Sequence, residues 1–241
     1  MKLFLLLLSC LFSIISSYSQ SVQKDSITDL QIKNAVASYD RFTDGNALIF
    51  NGPEYIYDIF NKEGNAFFEK PDYTKSWVGY EGRVYNSVSL FYDIHRNQLV
   101  ILNADSVSPI VMNNEYVDSF YLYGHTFISL QKSSNENLYN TGFYDRLYNG
   151  HIQLLARRTK TLDQTIQDSR VVGVFSQKDH FYVHKEGLYY LVIKKKDVFK
   201  LFADKKSALK KQMHKAHIKF RSQNFEYTLI KATGFYDQLT L

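Results

Sequence analysis

The sequence predicts an α+β fold: a predominantly antiparallel β-sheet made of successive hairpins, with one N-terminal helix and two C-terminal helices. Three observations support this fold class. Tyr and Phe number 19 and 18 whereas Pro numbers 3, a composition that favours strands. From Ala47 onward, apolar and polar residues alternate with a period of two, and turn residues separate the runs. After residue 194 the apolar residues recur at helical spacing instead.

The first 19 residues have the pattern of a secretory signal peptide. Lys2 gives a positive start, and an apolar run extends from Leu3 to Ile15. Ser17 and Ser19 then occupy the −3 and −1 positions of a cleavage site. We therefore expect cleavage before Gln20 and export to the periplasm or the cell surface of a Gram-negative bacterium.

Removal of residues 1–19 leaves residues 20–241, which we expect to form a single β-rich domain with a basic, helical end from about 195 to 241. The only cysteine, Cys10, lies inside the signal, so the mature domain is predicted to contain no disulfide. Leu7-Leu8-Ser9-Cys10 also resembles a lipoprotein cleavage box, but the apolar run continues beyond it. No later apolar run approaches the ~20 residues of a membrane-spanning helix, so no transmembrane helix is expected after cleavage.

The N-terminal helix is predicted over residues 26–42. Asp25 or Ser26 can cap its start, and Asp44-Gly45 ends it. One face of this helix is expected to carry the apolar residues Leu30, Val36 and Tyr39.

The strands of the sheet are predicted between turn signals. Val88–His95 alternates apolar and polar residues, Arg96-Asn97 turns the chain, and Gln98–Leu102 returns. Asn149-Gly150 is the strongest hairpin signal, because both residues tolerate the positive φ of a type I′ turn. A second turn is predicted at Glu186-Gly187. The other predicted strands are 110–112, 116–123, 125–130, 144–148, 151–157, 171–176, 181–184 and 188–194.

Two helices are predicted after the strands. The first covers about 195–220, where one apolar stripe contains Val198, Phe202, Leu209, Met213, Ala216 and Phe220. The second covers Asn224–Leu239. It contains Thr233-Gly-Phe-Tyr-Asp237, a repeat of Thr141-Gly-Phe-Tyr-Asp145 that we attribute to the abundance of Tyr and Phe.

The helical end of the chain is strongly basic. Residues 194–221 contain eleven Lys or Arg against two Asp, whereas the whole chain has a formal net charge of +5. Like charges crowded on one helix repel one another, and an acidic partner would offset that repulsion. The residues expected to contact such a partner are Lys205, Lys206, Lys210, Lys211, Lys215 and Lys219.

The expected partner is an anionic envelope component, such as lipopolysaccharide or an anionic phospholipid, or another envelope protein. Nucleic acid is not expected, because export separates the protein from most of it. A plainer alternative stays open, in which the lysines lie in water and the apolar stripe covers one face of the sheet.

Patterns for catalysis and metal binding are weak. The chain lacks the phosphate-loop, dinucleotide, zinc-protease and nucleophile-elbow motifs. Asp93 and His95 share one face of a predicted strand, where the carboxylate can orient the imidazole as a general base, but no nucleophile can be assigned. Two histidine pairs with metal-ligand spacing lack further ligands: His180 with His184, and His214 with His217. We therefore expect no catalytic residue, no metal and no cofactor.

Several strand and turn motifs follow one another in a fixed order. They are Phe50-Asn-Gly-x-Glu54-Tyr, Tyr80-x-Gly82-x-x-Tyr85-x-x-Val88-x-Leu90-x-Tyr92-Asp93, Gln98-Leu-Val100 and Gly142-Phe-Tyr-Asp145-x-Leu-Tyr148-x-Gly150. With a signal before them and a Lys-rich helix after them, the sequence resembles a group of exported Bacteroidota-type proteins of unknown function. The resemblance implies a periplasmic or surface protein and assigns no activity and no catalytic residue.

Together these features predict a non-enzymatic binding or scaffolding protein of the cell envelope. The alternative is a hydrolase that acts on envelope polymers with Asp and His residues. A deep pocket with two convergent carboxylates would favour the hydrolase, whereas a continuous positive surface or a shallow aromatic groove would favour binding.

Overall fold

The structure is a computed structural model that describes residues 31–32, 48–57, 62–103, 107–131, 138, 140–167 and 170–240. The chain divides into two compact units, Met1–Ala47 and Leu48–Leu241. In the first unit residues 31–32 are helical. The rest of the predicted helix 26–42 and the predicted signal 1–19 lie outside the described residues. The second unit contains the sheet and the C-terminal helices.

The body of the described chain is a sheet of eleven strands. They are β1 (Lys62–Glu63), β2 (Thr74–Tyr80), β3 (Arg83–Asp93), β4 (Gln98–Leu102), β5 (Pro109–Val111), β6 (Val117–Leu122), β7 (His125–Leu130), β8 (Gly142–Asn149), β9 (Gln153–Gln167), β10 (Arg170–Lys185) and β11 (Leu188–Val192). The order across the sheet is β1-β10-β9-β8-β7-β6-β2-β3-β4-β5, and β11 also pairs with β10.

The prediction of a sheet-dominated chain followed by helices is confirmed, but the sheet is mixed rather than wholly antiparallel. β1 runs parallel to β10, with Lys62 opposite Gly173 and Glu63 opposite Val174. The other pairings between described strands are antiparallel. Reasoning from successive hairpins misses the parallel pair, because its two strands are far apart in the sequence.

Two-residue turns with both φ angles positive join three of the hairpins. They are Glu81-Gly82 (φ 50° and 72°), Tyr123-Gly124 (50° and 89°) and Glu186-Gly187 (53° and 75°). Each has the sign pattern of a type I′ turn, which matches the right-handed twist of paired strands. The predicted turn at Glu186-Gly187 is confirmed by the register, in which Lys185 pairs with Leu188.

The hairpin predicted at Asn149-Gly150 is present, but the predicted turn type is wrong. Asn149 pairs with Gln153, so that three residues, 150–152, form the loop. Neither Asn149 nor Gly150 is among the residues of the described chain with positive φ. Gly150 is needed for a different reason, because a Cβ at this position would collide with the Oδ2 atom of Asp237.

Three α-helices follow β11: α1 (Lys195–Leu201), α2 (Lys206–Lys215) and α3 (Phe225–Thr240). Short 3-10 helices are formed by Leu48–Phe50, Ala203–Lys205 and Ser222–Asn224. The second predicted helix is confirmed as α3. The first is present in two pieces, because Phe202 leaves helical geometry with ψ 38°. The ring of Phe202 stacks on Tyr236 of α3, with centroids 4.0 Å apart, so packing between helices interrupts the predicted helix.

The apolar stripe of the helical end packs against the sheet. One buried cluster joins the strand residues Leu154, Val183 and Val192 to the helix residues Val198, Phe202, Leu209 and Met213. Of the other predicted members of the stripe, Phe220 is partly buried and Ala216 is exposed. Full burial of a side chain of this size contributes roughly 1.5–3 kcal/mol, so the stripe stabilises the second unit.

Candidate anion-binding site

The lysine-rich end of the chain surrounds a concave hollow of about 610 Å³. It lies between α1, α2 and the segment that follows α2. We call it the basic hollow and define it by its lining. The polar lining residues are Lys195, Lys210, His214, His217, Lys219 and Arg221, and the apolar ones are Phe199, Met213, Ile218 and Phe220.

Two helices each present one side to the basic hollow. Lys195 and Phe199 are four residues apart on α1, and Lys210 and His214 are four residues apart on α2, so each pair shares a helix side. The start of α1 is fixed by Asp197, whose carboxylate accepts two backbone N–H groups at 3.0 Å and 3.1 Å. The capped helix therefore positions both of its lining side chains.

The third side of the basic hollow is formed where the chain reverses after α2. His217 has φ 56°, and the N–H of Ile218 donates to the carbonyl oxygen of Met213 at 2.9 Å. This bond is typical of a Schellman helix end, in which glycine usually occupies the left-handed position. The reversal carries Lys219 and Arg221 back to the hollow.

The floor of the basic hollow is apolar and its rim is cationic. Phe199 and Phe220 meet edge to face, with ring centroids 6.0 Å apart. Lys195 Nζ and Lys210 Nζ lie 5.9 Å and 5.5 Å from the centroid of the Phe199 ring, within the range of cation–π contacts. Exposed ammonium groups are therefore held above an aromatic surface.

Charge in the basic hollow has one sign. Its permanent cations are Lys195, Lys210, Lys219 and Arg221, and they lie beside two histidines. The described residues that line the hollow include no carboxylate. Like charges around a concave, low-dielectric surface raise the local concentration of anions. The arrangement therefore favours an anion that also carries apolar surface.

The structure separates the six lysines predicted to contact an acidic partner. Lys210 and Lys219 line the basic hollow. The other four are exposed on the same segment but outside the hollow: Lys205, Lys206, Lys211 and Lys215. Sequence reasoning missed Lys195 and Arg221, which belong to the same basic run.

Asp93 and His95, the pair considered for general-base chemistry, do not form a carboxylate–imidazole contact. Asp93 is fully buried, and its Oδ1 atom accepts the backbone N–H groups of His95 at 2.9 Å and Arg96 at 2.8 Å. Its Oδ2 atom accepts the hydroxyl of Tyr55 at 2.7 Å. The Nδ1 atom of His95 lies 3.0 Å from the carbonyl oxygen of Lys160. Asp93 therefore stabilises the turn after β3.

The two predicted histidine pairs have different surroundings. His214 and His217 line the basic hollow, among its lysines. On β10, the ring of His184 stacks on Tyr189 with centroids 4.4 Å apart. Burial lowers the pKa of His180, and the charge of Lys178 lowers it further. Among the described residues, no group of three or more His, Cys, Asp or Glu is placed to hold a metal ion.

A buried ion network, which sequence reasoning missed, centres on Arg158 of β9. Its guanidinium donates to Asp145 at 2.7 Å, Asp179 at 2.7 Å and Glu226 of α3 at 2.6 Å. The Nδ1 atom of His125 lies 2.8 Å from the same oxygen of Asp145. Burial alone would lower the pKa of Arg158, but its hydrogen bonds to Glu226 and the three carboxylate charges raise it. The network joins four strands, β7 to β10, to α3.

Comparison with known proteins finds no family model, no curated protein and no solved structure that matches the chain. In the part of the chain that the structure describes, no helix is both long and apolar enough to cross a membrane. The geometry of the basic hollow is therefore the main basis for a functional proposal.

Proposed function

We propose that the protein is an exported, non-enzymatic binding protein of the cell envelope that holds an anionic amphiphile in the basic hollow. The observation that carries this proposal is the combination of an apolar floor with four permanent cations and no carboxylate in the described lining. Phosphate groups of the ligand contact the Lys and Arg side chains of the rim. Lipopolysaccharide and anionic phospholipids share this chemistry.

The apolar floor distinguishes an amphiphile from a purely ionic ligand. A hydrated polyanion gains from the cations but leaves the partly exposed side chains of Ile218 and Phe220 in contact with water. A ligand with acyl carbons also covers these two side chains, at roughly 25 cal/mol for each Å² of apolar surface removed from water. The volume of about 610 Å³ lies within the range of small-molecule sites, so the hollow accommodates a headgroup and part of a chain.

Export is part of the proposal and depends on residues 1–19. Cleavage before Gln20 places the mature chain in the periplasm or on the cell surface, where anionic lipids are present. The intact mass of protein isolated from the envelope tests this step. The expected mass is that of residues 20–241, and a mass that retains Cys10 or includes acyl chains contradicts it.

Flotation with lipid vesicles tests the binding step. The mature protein is mixed with vesicles of phosphatidylglycerol or phosphatidylcholine, and separately with lipopolysaccharide, at low and high ionic strength. It is expected to bind phosphatidylglycerol and lipopolysaccharide but not phosphatidylcholine. Binding should weaken steeply with salt, because exposed charges are screened beyond ~8 Å at physiological ionic strength. Failure of the parent protein to bind either anionic ligand at low salt contradicts the proposal.

A triple variant separates binding from folding. Lys206→Gln, Lys210→Gln and Lys211→Gln together remove three exposed charges and keep the buried residues Leu209 and Met213. The variant is expected to melt at nearly the parent temperature and to lose affinity for anionic vesicles. Unfolding of the variant would instead show that these lysines stabilise the domain.

A further inference from the structure

The four permanent cations of the basic hollow come from two different parts of the chain. Lys195 lies on α1 and Lys210 on α2, and we call these two residues the helix pair. Lys219 and Arg221 lie in the segment that follows α2, and we call them the segment pair. The hollow therefore has two groups of positive charge on different sides.

One aromatic ring brings the helix pair together. The Nζ atom of Lys195 lies 5.9 Å from the centroid of the Phe199 ring, and that of Lys210 lies 5.5 Å from the same centroid. Both lysines are exposed. A lysine ammonium is a point charge on a flexible stem, so it can turn towards an anion. A phosphate beside this ring can therefore contact both ammonium groups.

Alternating burial brings the segment pair to one side of the chain. Ile218 and Phe220 are partly buried, whereas Lys219 and Arg221 are exposed. Arg221 has extended geometry, with φ −134° and ψ 155°, and residues two apart in an extended segment share a face. A guanidinium binds phosphate through two parallel hydrogen bonds, and a neighbouring ammonium adds its charge. The segment pair can therefore hold a second phosphate.

The two acidic residues of the basic run are engaged elsewhere. Asp197 caps the start of α1 through two backbone N–H groups. Asp204 accepts the hydroxyl of Tyr236 at 3.1 Å and lies 4.0 Å from Lys185 Nζ. The ion pairs between described residues include no member of the helix pair or the segment pair. A ligand with a single negative charge would leave most of this positive charge without a counter-ion.

We infer that the basic hollow binds a lipid that carries two phosphate groups, one at the helix pair and one at the segment pair. The inference rests on the proposed function and specifies its ligand. Phe199, beside the helix pair, meets Phe220 edge to face at 6.0 Å, and Phe220 lies between the two residues of the segment pair in the sequence. This contact makes the two pairs neighbours, within the span of one headgroup. Cardiolipin, with two phosphodiesters, and diphosphoryl lipid A, with two phosphomonoesters, share this chemistry.

Vesicles with equal densities of phosphate test the inference on the mature protein. Cardiolipin in phosphatidylcholine is compared with phosphatidylglycerol at twice the mole fraction. Diphosphoryl lipid A is compared in the same way with monophosphoryl lipid A. Because the phosphate density is matched, a difference in affinity reports whether two phosphates belong to one molecule. At least one two-phosphate lipid is expected to bind about tenfold more tightly than its counterpart, since its second contact becomes intramolecular.

The outcomes separate this inference from the proposed function. Equal affinities within both comparisons overturn the inference, but they leave the proposed function intact if the lipids bind. Absence of binding to all four lipids contradicts both. A preference for cardiolipin alone assigns the site to phosphodiesters, and a preference for diphosphoryl lipid A alone assigns it to phosphomonoesters.

Two double variants assign the preference to the two pairs of cations. Lys195→Gln with Lys210→Gln removes the helix pair, and Lys219→Gln with Arg221→Gln removes the segment pair. All four side chains are exposed, so both variants should fold, which melting curves check. Each variant is expected to reduce the preference from about tenfold to less than about twofold, because only one phosphate keeps its partners.

The matched control is Lys211→Gln with Lys215→Gln, which removes two exposed cations outside the hollow. This variant should keep the preference of about tenfold even where its overall affinity falls. If the preference survives in both variants of the hollow, or if the control loses it to the same extent, the assignment of one phosphate to each pair is overturned.

Discussion

The carboxylate of Asp237 on α3 accepts a hydrogen bond at 3.2 Å from the backbone N–H of Ile152, in the loop between β8 and β9. Its second oxygen accepts the hydroxyl of Tyr148 at 2.9 Å and the N–H of His151 at 3.3 Å. The carboxylate reaches the loop because Gly150 has no side chain. A single residue of α3 thus holds the loop and joins the helix to the sheet.

Replacement of Gly150 by Asn should destabilise the protein strongly. The new Cβ would displace the carboxylate of Asp237, which then loses its hydrogen bonds to the loop in a buried site. The expected loss is about 2 kcal/mol of unfolding free energy, measured from urea denaturation.

The matched control for this prediction is Gly187→Asn. Gly187 has φ 75° and no neighbouring atom within 4 Å of a Cβ position, and Asn tolerates positive φ. The control should change stability by less than about 0.5 kcal/mol. If Gly150→Asn is equally mild, the close approach of Asp237 is not the reason for glycine at position 150.

Much of the sheet can be predicted from local patterns, because a hairpin joins strands that are neighbours in the sequence. The turn at Glu186-Gly187 and the strands on either side of it were predictable in this way. The parallel pair β1–β10 was not, since nothing near Lys62 indicates its partner Gly173.

Local sequence also fails to decide the secondary structure of Gly-Phe-Tyr-Asp. These four residues form a strand at 142–145 and a helix at 234–237. Tertiary packing decides between the two structures.

Replacement of Arg158 by Met should cause one of the largest losses of stability in the chain. The substitution keeps apolar volume but takes the guanidinium away from the buried carboxylate of Asp145, and it also removes the partner of Asp179 and Glu226. Breaking a buried ion pair in this way costs about 3–5 kcal/mol. The midpoint of urea denaturation measures the effect.

Lys206→Met provides a control with the same change in side-chain chemistry. Lys206 is exposed on α2, outside the basic hollow. Its replacement should change the free energy of unfolding by less than about 0.5 kcal/mol. A similar midpoint for both variants would show that the Arg158 network does not hold α3 to the sheet.

Stability should depend on the protonation of His125. The hydrogen bond to Asp145 raises the pKa of His125, whose other charged neighbours are Arg158 and Glu69. Because the folded-state pKa is raised, the stabilisation is fully present below the unfolded value of about 6.5 and is lost as pH rises through the folded value. As the pH rises above about 6.5, the melting temperature should therefore fall in the parent protein. The fall should be smaller in His125→Asn.

The matched control for the pH prediction is Gly187→Asn, which removes no titratable group. This variant should keep the parent's dependence of melting temperature on pH. If the dependence is the same in His125→Asn and in the parent, the contact between His125 and Asp145 is not responsible for it.

The candidate site was predictable only in part. The excess of lysines in residues 194–221 indicates a basic surface, and it includes Lys210 and Lys219. The hollow itself depends on the break at Phe202 and on the chain reversal at His217. Neither has a local signal, because the first follows from packing on Tyr236 and the second uses histidine where glycine is usual.

The most direct test of the proposed function compares two pairs of lysines that carry equal charge. Lys210→Gln with Lys219→Gln removes two cations from the basic hollow, and Lys211→Gln with Lys215→Gln removes two exposed cations outside it. Non-specific attraction of a basic segment to anionic lipid is worth about 1 kcal/mol per Lys, wherever the lysines lie. If the attraction is non-specific, both pairs of substitutions should therefore reduce the affinity equally.

Binding to phosphatidylglycerol vesicles at low salt is the measurement that decides between these cases. If the basic hollow is the binding site, the first pair of substitutions should raise the Kd at least about ten times more than the second pair does. Equal weakening by the two pairs, or no binding by the parent protein, would contradict the proposal that the hollow is the site.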